Sequence, residues 1–178
     1  MRTLKYAILG LVNRNPITGY DITKEFNKEL ANFWYAKHSQ IYPELKKLVD
    51  EGLINFEVII AGESLEKKLY TITEKGKESL KKWLLQVEDL DPTPKDKFKL
   101  RMYFSEILNK EEIILQFEDQ LIKRNKKLQF LNDVMNEYDR TIPDVISPEF
   151  GDYMVLEGAI LREQSYIEWI NRCLNRLK

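Results

Sequence analysis

The side chains suited to chemistry are few, and their spacing favours binding over catalysis. The chain holds one histidine, His38, and one cysteine, Cys173, far apart in sequence. It has no Gly-rich phosphate loop and no His/Cys/Asp/Glu set at metal-ligand spacing, so no metal or other cofactor is expected and enzyme chemistry is disfavoured. The paired acids Glu111-Glu112 suit the first turn of a helix, where the dipole favours negative charge, better than acid–base work. A different constellation stands at His38-Ser39-Gln40-Ile41-Tyr42, with Lys46 one helical turn on. The Gln40 amide can make a paired contact with adenine, and the Ser39 hydroxyl can serve a base or a phosphate. Lys46 suits a phosphate, or is simply solvated. His38 can donate to a phosphate or base edge or be structural, Ser39 can equally be a helix cap, and Tyr42 can pack in the core or offer its hydroxyl to a phosphate. Lys67 and Lys68 form a second basic pair, close to a turn, that could flank a minor groove. Tyr70 beside them is either a contact or core. The segment from Ser39 to Val49 has no arginine, so arginine reading of guanine is not expected there.

The aromatic run Phe33-Trp34-Tyr35 offers a wall for a planar ring, and a cation such as Lys37, Arg101 or Arg124 could pair a carboxylate on it. Ordinary packing is the alternative use of these aromatics.

Elements must position these groups. Leu4, Ala7, Ile8, Leu11 and Val12 fall on one helical face. Asn13 to Ile17, with Pro16, ends that helix. Thr18 caps a second, with Asp21 in capping-box position, and Ile22, Phe26 and Leu30 stripe it. Ser39 is the expected cap of a third helix facing inward through Ile41, Leu45, Leu48 and Val49, with Gly52 as its left-handed stop. The period then becomes extended: residues 53–60 and 69–72 read as two strands joined around Ala61-Gly62-Glu63-Ser64. Thr73 caps a fourth helix to about Gln86, with Leu80, Trp83, Leu84 and Val87 inward. Three helices, a two-stranded wing and a fourth helix make a winged helix-turn-helix over residues 1–88. Asp89 to Pro94 is the expected hinge.

Residues 95–178 read as helical throughout: one helix with Phe98, Met102, Ile107 and Leu108, a long one over 110–138 opened by Asn109 and Glu112, and a final one carrying Tyr153 to Leu177. So thin a layer needs a partner to cover its apolar stripes, which predicts a homodimer through Leu156, Ile160, Ile167, Ile170 and Leu174. A self-contained helical hairpin is the alternative. The fold class is thus mainly α with a small β-wing, an N-terminal winged helix followed by a helical dimerisation domain.

Bulk properties fit a cytoplasmic protein, and by themselves they argue only weakly for nucleic acid, because most charged faces are simply solvated. The net charge is -1, but residues 1–86 carry 14 Lys/Arg against 11 Asp/Glu. No run approaches the roughly 18–20 apolar residues that would cross a bilayer, and the N-terminus does not read as a signal peptide. A single cysteine fits a reducing compartment and reads as an inert packing residue.

Four runs, in order, resemble the PadR family of regulators. They are Ala7-Ile8-Leu9-Gly10-Leu11, Thr18-Gly19-Tyr20-Asp21-Ile22, Ser39 to Leu48 with Glu51-Gly52-Leu53, and Lys68 to Gly76. The resemblance spans essentially the whole chain and its helical half is similar to the longer subgroup. It implies a dimeric repressor on palindromic operator DNA. Leu4 to Leu11, Ala36 to Leu48 and Leu65 to Lys68 further resemble members that repress a phenolic acid decarboxylase gene. That implies release by a small aromatic carboxylic acid such as p-coumarate or ferulate, with Tyr153 joining Phe33, Trp34, Lys37, Arg101 and Arg124 as effector candidates. The pattern departs at Asp152, an acid where histidine is expected. A ligand-independent regulator of the same family, and a winged-helix module for protein or RNA, stay open beside this function.

Overall fold

The structure, a computed structural model, describes residues 2–27, 34, 36–61, 65–138 and 142–178. Leu30, Phe33 and Tyr35 lie outside them. The chain forms two compact units, Met1–Asp89 and Leu90–Lys178.

In the first unit, α1 (Thr3–Arg14) buries Ile8, Leu9 and Val12 and ends where Asn15 turns extended before Pro16. Next come β1 (Ile17–Thr18) and α2 (Gly19–Phe26). The Thr18 hydroxyl accepts from the Asp21 N–H at 3.2 Å and donates to the Asp21 carboxylate at 2.6 Å, which ties the helix start to its first turn. Helix α3 (His38–Asp50) buries Ile41, Leu45 and Leu48, each worth about 1.5–3 kcal/mol of apolar burial. It stops at Gly52, whose φ of 67° is the left-handed value a helix end favours. The Leu53 N–H then reaches the Leu48 carbonyl and the Gly52 N–H the Val49 carbonyl, both at 2.9 Å.

Strands β2 (Ile54–Ala61) and β3 (Leu65–Ile72) pair antiparallel, and β1 adds to the far side of β3 through Ile17–Tyr70 and Thr18–Leu69. The sheet therefore has three strands, order β1-β3-β2, where the sequence suggested two. Two residues beside a proline carry too little period to read as a strand. Helix α4 (Glu74–Leu84) is capped by Thr73, which accepts from the Gly76 N–H at 3.0 Å. Leu80 is buried and Trp83 stacks on Tyr6 at 4.8 Å. Leu84 and Val87, expected to face inward, are 66% and 99% exposed; Leu84 is the last residue of α4 and Val87 lies beyond its end.

In the second unit, α5 (Lys97–Tyr103) leads through a 3₁₀ turn (Ser105–Ile107) to α6 (Lys110–Asn136) and α7 (Pro148–Leu177). Ile107 is 87% exposed, not on an inward helical stripe. Asn109 and Glu112 cap α6 reciprocally, at 2.8 and 2.9 Å. Helices α6 and α7 pack on each other along two apolar clusters. One joins Leu131 to Leu156, Ala159 and Ile160; the other joins Phe117 to Ile170 and Leu174 with Phe98, Met102 and Trp169 around them. Four of the five side chains assigned to a dimer seam, Leu156, Ile160, Ile170 and Leu174, are thus already covered within one chain, and Ile167 is half-buried. An apolar stripe only says that something covers it, and here α6 does. Among the described residues, no helix is long and apolar enough to cross a membrane.

Candidate nucleic-acid interface

Helix α3 buries one side in the first unit's core and leaves the other open. His38, Ser39, Gln40, Tyr42 and Lys46 all lie on the open side. The cap of α3 differs from expectation. Lys37 is the capping position and Ser39 stands inside the first turn. A lysine side chain cannot accept an N–H, so the turn is closed from the other end: the Gln40 side-chain oxygen accepts the Lys37 N–H at 3.0 Å. Pro43 withholds the N–H that would otherwise reach the Ser39 carbonyl, so the opening turn also lacks one rung of its ladder. Gln40 therefore has a structural task that its residue type alone did not reveal.

Between α3, the start of α2 and the wing runs a groove of about 990 Å³, with Tyr20, Tyr42, Phe56 and Tyr70 as aromatic walls and Lys46, Lys67 and Lys68 as cations, against Asp50 and Glu66. Gly19 makes its shape possible: a Cβ there would sit 2.9 Å from the Tyr42 ring. The His38 ring lies 5.0 Å from that of Tyr42. Lys67 and Lys68 lie inside β3, paired with Ile59 and Val58. The strand continues four residues further back than the Leu69 start expected from its apolar run. Lys68 rests 4.1 Å over the Phe56 ring, and Lys67 reaches 5.6 Å from that of Tyr20. Tyr70, named as a contact, is 6% exposed and belongs to the core, where burial and then the nearby Tyr42 push its hydroxyl pKa up. It supports the groove floor.

Arg2 and Lys5, which sequence reasoning passed over, hold α3 from behind. The Arg2 guanidinium donates to Glu44 at 2.6 and 3.0 Å and to Glu51 at 2.5 Å, and Lys5 donates to Glu51 at 2.9 Å. Lys5, then Arg2, holds the Glu51 carboxyl below the usual carboxylate range. Their spacing from α3 in sequence, over 40 residues, left no local signal.

Residues 8–82 match the transcriptional regulator PadR-like family and residues 94–178 match a virulence activator alpha C-terminal family. The negative transcriptional regulator PadR of Bacillus subtilis is 47% identical over 98% of this chain and 97% of its own. The chain belongs to the PadR-like family of transcriptional regulators. A crystal structure of B. subtilis PadR in complex with operator DNA superposes with a TM-score of 0.93 at 47% identity, covering 99% of this chain and all of that one. Another, in complex with p-coumaric acid, gives 0.85 at 44% identity over 99% of each chain.

The remaining effector candidates separate. In the first unit Trp34 is 38% exposed and Lys37 is exposed. In the second, Arg124 is already engaged: its guanidinium donates to both oxygens of buried Glu163 at 2.9 and 3.1 Å and lies 3.7 Å over the Tyr166 ring. Both bonds leave from Nη1, so the arginine's charge is already paired with that carboxylate. Tyr153 packs edge-on to Tyr138 at 5.7 Å. Arg101 is exposed and lines an apolar cleft.

Proposed function

We propose that this PadR-like chain is a repressor that binds operator DNA through α3 and the wing and is released by a small phenolic acid. The observation that carries this is the α3–wing groove, which sets tyrosine and threonine hydroxyls beside Lys46, Lys67 and Lys68, in a chain 47% identical to a negative transcriptional regulator over nearly its full length. Residues 1–88 are the DNA-binding domain. His38, Ser39, Gln40 and Tyr42 enter the major groove as the start of a recognition helix does, while Lys46, Lys67 and Lys68 hold phosphates and set register. The chain acts in the cytoplasm and is not an enzyme.

Residues 95–178 are the dimerisation domain, since a symmetric pair of half-sites calls for a symmetric pair of chains. With the original stripe covered by α6, the seam falls on the exposed apolar side chains of α7, Met154, Val155 and Leu161, where Gly158 leaves room for close approach.

A gel shift with DNA from upstream of the chain's own gene tests the function. Retarded DNA that is freed by p-coumarate supports it. Retarded DNA indifferent to p-coumarate and ferulate would point to a ligand-independent regulator, and no retardation of any duplex to a protein- or RNA-binding module.

A further inference from the structure

Residues 85–95 join α4 to α5 and are exposed throughout. Asp96 is the first side chain after them to be partly buried. Its carboxylate has two tasks. One oxygen accepts the Phe98 and Lys99 N–H groups at 2.9 and 3.0 Å, which caps α5. The other accepts the Tyr166 hydroxyl of α7 at 2.7 Å. Burial, then the Asp96 carboxylate, push the Tyr166 pKa up, so the hydroxyl keeps the proton it donates. The Tyr166 ring is held as well. The Arg124 guanidinium lies 3.7 Å over it while donating to buried Glu163, Lys99 reaches 4.9 Å from it, and Trp169 packs edge-on at 5.2 Å. Asp96, Tyr166, Arg124 and Glu163 thus form one polar chain that ties the start of α5 to α6 and α7. Along the two long helices this chain falls between the apolar cluster of Leu131, Leu156 and Ile160 and that of Phe117, Ile170 and Leu174. Apolar contacts on either side tolerate a shift of about an ångström, but a hydrogen bond stretched to about 3.6 Å is no longer one. The Asp96–Tyr166 bond therefore registers a small displacement of α7 against the arriving chain as made or broken.

We propose that the Asp96–Tyr166 hydrogen bond is a latch through which the state of the helical unit reaches residues 85–95, with Tyr166 as a positioning residue for release from DNA. The proposal rests on the phenolic-acid function above, and it gives Tyr166 no contact with DNA or effector. Closed, the latch fixes where the linking segment joins the α6–α7 pair. Open, it frees that segment and the first turn of α5 from α7. A hydrogen bond to a charged group shifts an equilibrium by roughly ten- to a hundredfold. Coupling between two sites is typically roughly 5–150-fold, so one such bond is strong enough to carry the response. The effector acts through it by preferring one of the two states.

The test measures, by gel shifts on the upstream DNA, the factor by which saturating p-coumarate weakens DNA binding. It compares the full-length chain with Tyr166→Phe, Asp96→Asn and the double variant. Tyr166→Phe keeps the ring under Arg124 and removes only the donor. Asp96→Asn keeps an oxygen for the α5 cap and replaces the other, and it carries the test alone if Tyr166→Phe does not fold. Each single substitution is expected to reduce the factor by about fivefold or more, and the double variant no further, as the two halves of one bond require. Hydrogen exchange is expected to quicken at residues 97–103 and to stay as in the parent over 110–136. A lowered melting temperature with an unchanged factor would make the bond a structural staple and overturn the proposal, leaving the phenolic-acid function standing. Additive effects of the two substitutions would overturn it too, as would a reduced factor with exchange at 97–103 unchanged, which places Tyr166 against the effector instead. If p-coumarate and ferulate leave DNA binding by the parent chain untouched, the phenolic-acid function falls and the latch with it.

Discussion

Gln40 closes the first turn of α3 and faces the proposed DNA groove with the same amide, so its two tasks can be separated by substitution. Gln40→Glu keeps an oxygen that accepts the Lys37 N–H, and its charge suits a helix N-terminus. It loses the donor that adenine N7 requires and sets a negative charge toward the backbone. The expected outcome is an unchanged or raised melting temperature with operator binding lost in a gel shift. Gln40→Ala should instead lower stability by about 1 kcal/mol, the usual scale of a lost cap, and blunt discrimination between operator and unrelated DNA. Behind α3, Glu51 is held in its charged form by Lys5 and Arg2. A carboxyl whose folded pKa is depressed contributes stability that is full above its unfolded value, near 4.5, and is lost as pH falls through the folded one. Denaturant midpoints measured from pH 6 down to pH 3 should therefore fall, and fall less steeply in the double variant Arg2→Ala, Lys5→Ala.

At the level of elements, the wing offers two lysines from one strand, one resting on Phe56 and the other reaching toward Tyr20. Replacing Lys67 and Lys68 with alanine should weaken binding to every duplex alike and reduce the slope of log affinity against log salt by about two. A loss confined to the operator would show that they read bases instead. Most elements were legible beforehand because each carries a local signal: the apolar stripe of α1, Thr18 and Thr73 as caps, Gly52 as a stop, and the reciprocal Asn109–Glu112 pair. What was not legible depends on distant partners. Strand β1 exists because β3 offers it an edge, and β3 runs back through charged residues because β2 pairs with them. The cap of α3 could not be assigned to Gln40 while Ser39 looked the better candidate by residue type.

For the whole molecule, the same limit applies to the dimer seam expected on α7. Periodicity locates the apolar face of α7 but not what lies on it, and α6 of the same chain covers Leu156, Ile160, Ile170 and Leu174. Leu161→Asp, at an exposed site, should give monomers by sedimentation that retain their helical content. Ile170→Asp buries a charge in the α6–α7 core and should instead lower the melting temperature sharply. Glu163, 3% exposed, faces Arg124 across the same helix pair. Glu163→Ala leaves that guanidinium without its partner, at a cost of about 2 kcal/mol given the arginine's partial exposure, read as a shift in denaturant midpoint.

The closure of α3 by Gln40 also constrains how such a regulator can acquire a new address on the chromosome. A lineage that exchanges this amide for a side chain preferring another base forfeits the start of its own recognition helix in the same step. The viable order of changes runs through position 37 first: serine, threonine or aspartate in place of Lys37 supplies an independent cap, after which position 40 is free to vary. Descendants with altered binding sites should therefore carry a capping residue at position 37 wherever position 40 has ceased to be glutamine or glutamate.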